Sequence, residues 1–172
     1  KFDKREFIMK KLVLIIALCS LHLSAFAEIR IVSDLDDTLK ITNVNNWSQA
    51  VRNALFSKKA FAGMPELIYQ MQSYTVSFSI ITASPKLLNS KIESFLSHHE
   101  LETQYLFTRD IINESDKLDY KVKAIEKILS ENEGELILMG DDTQKDVDVF
   151  QVIKNRYPER ILAVYIHSIM NK

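Results

Sequence analysis

The sequence predicts an α/β fold of three layers, in which helices cover both faces of a central parallel sheet of about five strands. Apolar runs of strand length alternate along the chain with segments whose apolar residues recur at helical spacing. The chain has 172 residues with only 3 Gly and 3 Pro, which fits one compact domain without long flexible linkers. Acidic or hydroxyl side chains follow several of the apolar runs, as expected where the strands of such a sheet end.

Five strands are predicted from short apolar runs that polar or turn-forming residues bound. The first run leads into an acidic cluster, and the second leads into Thr82-Ala83-Ser84-Pro85. The third is short, and the last is almost entirely apolar, as expected of a sheet covered on both faces. The predicted strands are residues 29–32, 76–81, 105–107, 135–139 and 161–166.

Helices are predicted between the strands from apolar residues three or four positions apart. Trp47 begins the first, which runs to Ser57, and Pro65 lies in the first turn of the second. Three further helices carry apolar stripes within residues 88–96, 122–129 and 149–153.

The first 27 residues have the pattern of a secretory signal peptide. Met9 is the expected start, basic residues follow it, an apolar run covers residues 12–18, and the segment ends at Ala25-Phe26-Ala27. The apolar run is too short for a transmembrane anchor. We expect cleavage near Ala27, export to the periplasm or the cell exterior, and a mature domain of residues 28–172 without a transmembrane segment.

The composition of the predicted mature domain limits its stabilisation and its partners. It contains no cysteine, so its core must stabilise it without disulfides. The whole chain has 22 basic and 23 acidic side chains, of which five basic and two acidic ones lie in the first 27 residues. The resulting net charge of −4 argues against a general nucleic-acid binder. The oligomeric state stays open.

Three carboxylates lie close together directly after the first predicted strand. Asp34, Asp36 and Asp37 would repel one another there, and removal from water adds to the cost. A bound cation or a nearby lysine compensates such a cluster. The cluster alone would also suit a polar turn, but its place at a strand end favours a reaction centre.

A carboxylate at this position can attack phosphorus and form an aspartyl-phosphate, which divides one difficult displacement into two easier steps. We predict Asp34 as that nucleophile. We predict Asp36 as the acid that protonates the leaving oxygen and then as the base that activates water. Mg²⁺ would mask the charge of a phosphate ester, with Asp34, Asp141 and Asp142 as its candidate ligands.

Hydroxyl and amino groups from other segments complete the predicted site. Thr82 can donate a hydrogen bond to a phosphoryl oxygen, and Lys121 can neutralise developing negative charge. Taken singly, Thr82 and Ser84 would suit a helix cap. Lys121 alone would suit a solvated helix charge, with Lys117 and Lys123 as its rivals. The residues predicted to bind substrate are Thr38, Thr82, Ser84 and Lys121.

The order of these residues resembles the four motifs of the haloacid dehalogenase superfamily of phosphohydrolases. The resemblance implies a Rossmann-like sheet with a minimal cap domain or none, Mg²⁺ as the cofactor, and Asp34 as the nucleophile. It further implies metal ligands from the carboxylates of Asp34 and Asp141 and the backbone carbonyl of Asp36, with Asp146 as an alternative ligand. The matching stretches are Asp34-Leu35-Asp36-Asp37-Thr38, Thr82 after an apolar strand, Lys121, and Gly140-Asp141-Asp142 with Asp146.

A more specific resemblance, to the catalytic domain of the actin-patch phosphatidate phosphatase (App1) family, covers nearly the whole mature chain. Lys86 stands where this family commonly has Trp, and Asp142 stands where it commonly has Ser. The missing Trp removes a side chain that could sit at a lipid surface. The matching stretches include residues 33–42, 61–67, 106–110, 120–121 and 140–146.

The sequence thus predicts a Mg²⁺-dependent phosphomonoester hydrolase whose substrate is a phosphorylated small molecule or a phospholipid, with phosphatidate as one candidate. One alternative is a phosphatase of soluble phosphate esters or nucleotides. Another is a non-catalytic module that accepts phosphate or binds metal, as receiver domains do. Asp36 distinguishes the last alternative, because a receiver needs no general acid two residues beyond its phospho-accepting Asp.

Overall fold

The structure, a computed structural model, describes residues 28–42, 57–74, 76–110, 112 and 116–169. Its strands are β1 (Ile29–Ser33), β2 (Ser77–Pro85), β3 (Tyr105–Arg109), β4 (Glu135–Asp141) and β5 (Ile161–His167). All neighbouring strands pair in parallel, in the order β3-β2-β1-β4-β5. The predicted α/β fold with a five-stranded parallel sheet is confirmed.

Helices lie on both faces of this sheet. The described helices are α1 (Met64–Gln72), α2 (Asn89–His98), α3 (Lys117–Glu131) and α4 (Asp146–Arg156), with short 3₁₀ turns at Lys86–Leu88 and Pro158–Arg160. Apolar side chains of α1 and α2 pack in one core cluster, and those of α3 and α4 pack in another. The sheet separates the two clusters, which gives the three predicted layers.

The central strand β1 contributes to both cores, because successive side chains of a strand point to opposite faces. Ile31 packs in the cluster that contains Ile68 of α1 and Phe95 of α2. Val32 packs in the cluster that contains Ile125 of α3. All of these side chains are buried, which explains why β1 is apolar at every position except Arg30 and Ser33.

The last strand differs from its expected environment. β5 lies at the edge of the sheet and, within the described ranges, pairs only with β4. The expectation of full cover is wrong for this strand, since an apolar run does not reveal whether its strand lies at the centre or the edge. The β5 side chains that are at least a third exposed are Leu162, Val164, Tyr165 and Ile166.

Two boundaries matter for the placement of polar side chains. β2 runs past its predicted end, and its pairing with β3 shifts register between Thr82 and Pro85. α3 begins at Lys117, where the Asp116 side chain accepts hydrogen bonds from the backbone N–H groups of Leu118 at 2.8 Å and Asp119 at 3.4 Å.

None of the described helices is long and apolar enough to cross a membrane. The predicted signal peptide, residues 1–27, lies outside the described residues. So does the predicted helix 47–57, except for Ser57.

Candidate active site

Two neighbouring strands bring carboxylates to the same edge of the sheet. Asp34 follows β1 directly, and its backbone N–H donates to the carbonyl oxygen of Met139 on β4 at 2.8 Å. Asp141 is the last residue of β4, and both carboxylates are buried. Because parallel strands end at one edge, side chains that lie far apart in sequence meet there.

The loop after β1 is tightly folded. The backbone N–H groups of Leu39 and Lys40 donate to the carbonyl oxygen of Leu35 at 3.0 and 2.9 Å. Asp37 has a φ of 58°, a left-handed conformation that Asp adopts more readily than most residues. Its Oδ1 accepts from the backbone N–H of Thr42 at 2.9 Å. The third carboxylate of the cluster therefore shapes the loop.

Lys121 reaches the site from α3 and pairs with two carboxylates. Its Nζ lies 2.7 Å from Oδ1 of Asp34 and forms a second ion pair with Asp146. Burial alone would lower the pKa of Lys121, but the charges of Asp34 and Asp146 raise this pKa above its ordinary value. Lys121 is therefore a fixed positive charge beside Asp34. The rival Lys123 pairs instead with an exposed carboxylate of its own helix, and Lys117 is exposed.

Asp34, Asp141 and Asp146 form a buried carboxylate triad. One oxygen of each lies within 4.8 Å of the oxygens of the other two. Burial raises the pKa of Asp34 well above its ordinary value, and the opposing charge of Lys121 only partly offsets this rise. Burial also raises the pKa of Asp141, against hydrogen bonds from Thr143 that lower it. Keeping all three carboxylates ionised in this buried site therefore costs free energy when no cation is bound.

The donor set fits a divalent cation. With three ionised carboxylates and one protonated lysine, two negative charges stay unbalanced in a buried site. Oδ2 of Asp34 is buried and has no hydrogen-bond partner among the described residues. A hard divalent cation that prefers oxygen ligands would supply both the missing charge and the missing partner.

Gly140 makes room for Asp146 at the triad. A Cβ at position 140 would lie 2.6 Å from Cβ and 2.7 Å from Oδ2 of Asp146. Asp146 begins α4, and its Oδ2 accepts from the backbone N–H of Asp141 at 3.2 Å. The glycine therefore lets α4 approach β4 closely enough for Asp146 to join the other two carboxylates.

Three hydroxyl groups surround the buried carboxylate of Asp36, which is not part of the triad. Oγ1 of Thr42 donates to Oδ1 at 2.6 Å. Oγ1 of Thr82 and Oγ of Ser84 donate to Oδ2 at 3.2 and 2.7 Å. Thr82 and Ser84 lie two positions apart on β2, so their side chains share a face of the strand and reach the same oxygen. Asp36 thus has hydrogen-bond donors on both sides.

The residues predicted to bind substrate all contact carboxylates of the site. Thr82 and Ser84 donate to Asp36, and Oγ1 of Thr38 donates to Oδ2 of Asp141 at 3.4 Å. Lys121 contacts Asp34 and Asp146 of the triad. Their roles towards a substrate stay predictions, as does the role of the Asp36 backbone carbonyl towards a metal.

Asp142, also predicted as a metal ligand, lies outside the triad of Asp34, Asp141 and Asp146, and its role towards a metal stays a prediction. Its Oδ2 accepts from Oγ of Ser168 at 2.8 Å, and its Oδ1 accepts from the backbone N–H of Ile169 at 2.7 Å. Both donors follow β5. The Asp142 carboxylate is thus directed towards the residues after β5, whereas that of Asp141 faces the triad.

Two threonines that the sequence patterns did not single out contact the site. Thr143 donates to Oδ1 of Asp141 from its backbone N–H at 2.6 Å and also from its hydroxyl. The Asp-x-Thr spacing after a strand is the signal for such a turn. Thr42 lies six residues beyond Asp36, and no local pattern indicates that its hydroxyl returns to that carboxylate.

An apolar cavity of about 830 Å³ borders the site. Thr38 and Gly140 are among its lining residues, so the cavity adjoins the sheet edge that carries the triad. Most of its lining comes from α1, β4 and β5, including Met64, Leu67, Met71, Met139 and Tyr165.

Fold and site together define a class: parallel α/β proteins with a buried carboxylate triad and a paired lysine at the carboxyl edge of the sheet. Within this class, a family model described as the catalytic domain of phosphatidate phosphatase APP1 matches residues 29–168. The chain belongs to this family.

The protein is similar to an uncharacterised protein of Schizosaccharomyces pombe, C29B5.04c, with 22% identity over 154 residues. This match covers 83% of the chain but 26% of the relative, so the chain spans about a quarter of that relative's length.

Solved structures share the fold at low sequence identity. A chain of the Pnkp1/Rnl/Hen1 complex matches with a TM-score of 0.59 and 16% identity, over 84% of this chain and 47% of that chain. The class C acid phosphatase from Bacillus anthracis with tungstate bound matches with a TM-score of 0.53 and 13% identity. This match covers 94% of this chain and 75% of that chain.

Proposed function

We propose that the chain is a Mg²⁺-dependent phosphomonoester hydrolase of the haloacid dehalogenase type, with Asp34 as its nucleophile. The observation that carries the proposal is the buried triad of Asp34, Asp141 and Asp146 beside Lys121. Membership of a family described as a phosphatase catalytic domain supports it, as does the shared fold of an acid phosphatase.

The triad residues Asp34, Asp141 and Asp146 would hold the Mg²⁺ ion. When bound, the ion would supply positive charge that offsets the repulsion between these carboxylates and an anionic phosphate ester. Lys121 contributes a second positive charge, and its ion pair orients Asp34.

The chain's own residues supply the nucleophile and the proton transfers. In the first step Asp34 attacks phosphorus, the bond from phosphorus to the leaving oxygen breaks, and Asp36 donates a proton to that oxygen. In the second step Asp36 takes a proton from water, the water oxygen attacks phosphorus, and the bond to Asp34 breaks. Inorganic phosphate leaves, Asp34 is again a free carboxylate, and Asp36 again carries the proton with which it began the cycle.

We propose a phospholipid of the phosphatidate type as the substrate. The name of the family supports this substrate, and so does the apolar cavity, which Thr38 and Gly140 border. A lipid phosphomonoester combines an anionic group with apolar chains, and here an apolar cavity adjoins a site for the anionic group. The alternative substrates are a soluble phosphate ester and a nucleotide, and a comparison of rates distinguishes them from phosphatidate.

We further propose that residues 28–172 form an exported catalytic domain. The N-terminal sequence pattern supports this proposal, and the family match begins at residue 29, next to the predicted cleavage position.

The test is phosphate release from phosphatidate vesicles, nucleotides and a nitrophenyl phosphate, each with Mg²⁺ and with a chelator. We expect release that requires Mg²⁺ and is fastest with phosphatidate. Asp34→Asn should lower turnover on the order of a thousandfold or more. Equal rates in the chelator contradict metal dependence, and an Asp34→Asn variant as fast as the parent contradicts the nucleophile. Faster release from nucleotides assigns the soluble substrate, and no release from any ester favours a non-catalytic module.

A further inference from the structure

The carboxylate of Asp36 is hydrogen-bonded from two separate parts of the chain. β2 supplies the hydroxyls on Oδ2, whereas Thr42, in the loop after β1, supplies the hydroxyl on Oδ1 at 2.6 Å. We propose that Thr42 is a positioning residue, whose hydroxyl orients Asp36 towards the leaving oxygen of the substrate. This inference rests on the function proposed above.

Thr42 is itself held in place. It is 3% exposed, and its backbone N–H donates to Oδ1 of Asp37 at 2.9 Å. The preceding residue, Ile41, donates its N–H to the carbonyl oxygen of Lys59 at 2.9 Å, which ties the loop to the chain before α1. The hydroxyl is therefore preorganised, and its contact with Asp36 costs little conformational entropy on substrate binding.

The contact between Thr42 and Asp36 is well formed. The distance of 2.6 Å from Oγ1 of Thr42 to Oδ1 of Asp36 lies within the range of a good O–H···O hydrogen bond. Both side chains are buried, so little water can compete for this contact.

The position of Oδ1 depends on this contact. Without the Thr42 hydroxyl, Oδ2 of Asp36 would still accept hydrogen bonds from the β2 hydroxyls. Oδ1 would have lost its hydroxyl partner, so the carboxylate could turn about Oδ2. Misplacement of a catalytic group by about 1 Å is sufficient to slow a reaction on the order of a hundredfold. Esters with poor leaving groups depend most on protonation of the leaving oxygen, so their hydrolysis should be slowed most.

The test compares Thr42→Val, which removes the hydroxyl, with Thr42→Ser, which keeps it, in the full chain at saturating Mg²⁺. A simple alkyl phosphate is the poor leaving group, and a nitrophenyl phosphate is the good one. For Thr42→Val we expect kcat on the alkyl ester to fall about 10- to 100-fold, and on the nitrophenyl ester less than about threefold, with KM unchanged. Thr42→Ser should stay within about threefold of the parent on both esters.

Two controls separate positioning from a general structural effect. Ser79→Ala removes a buried β2 hydroxyl that has no hydrogen-bond partner among the described residues, and it should leave both rates unchanged. In an Asp36→Asn background, Thr42→Val should cost less than about twofold, because Thr42 acts through Asp36. Should Thr42→Val not fold, Thr42→Cys takes its place with the same expected loss, since a thiol is a weak donor.

Equal slowing of both esters by Thr42→Val, no slowing at all, or failure of Thr42→Ser to restore the alkyl rate overturns the positioning role. A parent that hydrolyses neither these esters nor phosphatidate contradicts the proposed function itself. A parent that hydrolyses both esters while Thr42→Val leaves their ratio unchanged overturns only the role of Thr42.

Discussion

At the scale of single residues, identical side chains that are neighbours in sequence have different tasks because different partners surround them. Asp34 is ion-paired with Lys121, whereas Asp36, two positions on, is bound by hydroxyls. Asp141 and Asp142 are adjacent, yet one joins the triad and the other accepts hydrogen bonds from residues after β5.

The adjacent pair gives a matched prediction. Asp141→Asn removes a carboxylate of the triad, so we expect the Mg²⁺ concentration for half-maximal activity to rise on the order of 10- to 100-fold. Asp142→Asn should change it less than about threefold, because both oxygens of Asp142 are bonded elsewhere. Activity titrations with Mg²⁺ measure both values. A larger effect at position 142 than at 141 would support Asp142 as the ligand in place of Asp141.

At the scale of elements, the junction of β4 and α4 determines whether the triad can form. Asp146 belongs to the first turn of α4, and its oxygen reaches the backbone of Asp141 because Gly140 carries no side chain. Phe150, one turn further along α4, would lie 2.8 Å from a Cβ at position 140. The close contact between the first turns of α4 and the end of β4 therefore requires a glycine at position 140.

Gly140→Ala should displace Asp146. Overpacking of this kind costs about 1–3 kcal/mol of unfolding free energy. The Mg²⁺ concentration for half-maximal activity should rise at least about tenfold, since a carboxylate of the triad moves. Denaturant unfolding and a Mg²⁺ titration measure the two effects.

Gly63→Ala is the control for that variant. Gly63 has a φ of 81°, and a Cβ there would meet no heavy atom within 4 Å. The substitution should cost about 1–2 kcal/mol through backbone strain, without any change in the Mg²⁺ titration. A shift in the titration for both variants would mean that loss of stability alone weakens the site.

At the scale of the whole molecule, the sheet concentrates buried charge at one edge, and this charge makes stability depend on pH and on metal. Burial raises the pKa of Asp34 and of Asp141, so the folded, metal-free protein binds these protons more tightly than the unfolded chain does. Their contribution to stability is therefore complete below the ordinary Asp pKa and is lost as pH rises through the raised values.

The comparison of Asp34→Asn with the parent tests this dependence in metal-free protein. The variant should become more stable than the parent as pH rises above about 4, by about 1.4 kcal/mol for each unit by which the Asp34 pKa is raised. Saturating Mg²⁺ should stabilise the parent more than the variant and so reduce the difference. Denaturant unfolding between pH 4 and pH 8 (roughly the span of the effect) measures it, and a difference independent of pH contradicts the buried, ionisable state of Asp34.

Much of the fold was predictable because its signals are local. The apolar runs and helical stripes indicate the order of strands and helices, and chain connectivity then requires a parallel sheet. The exposure of β5 was not predictable, because edge and central strands can share one composition. Asp34, Thr82, Lys121 and Asp141 were predicted as site residues from their places near strand ends or on a helix, since strand ends converge whatever the details of packing.

The sequence by itself therefore determined which segments form the sheet and indicated that acidic, hydroxyl and amino groups gather at its carboxyl edge. Only the tertiary structure decided that Asp146 rather than Asp142 completes the triad, and that Thr42 contacts Asp36. The physical reason is that these outcomes depend on side-chain direction and on approaches of a few ångströms between elements. Side-chain direction and close approach between elements produce no periodic pattern in the sequence, whereas burial of apolar faces does.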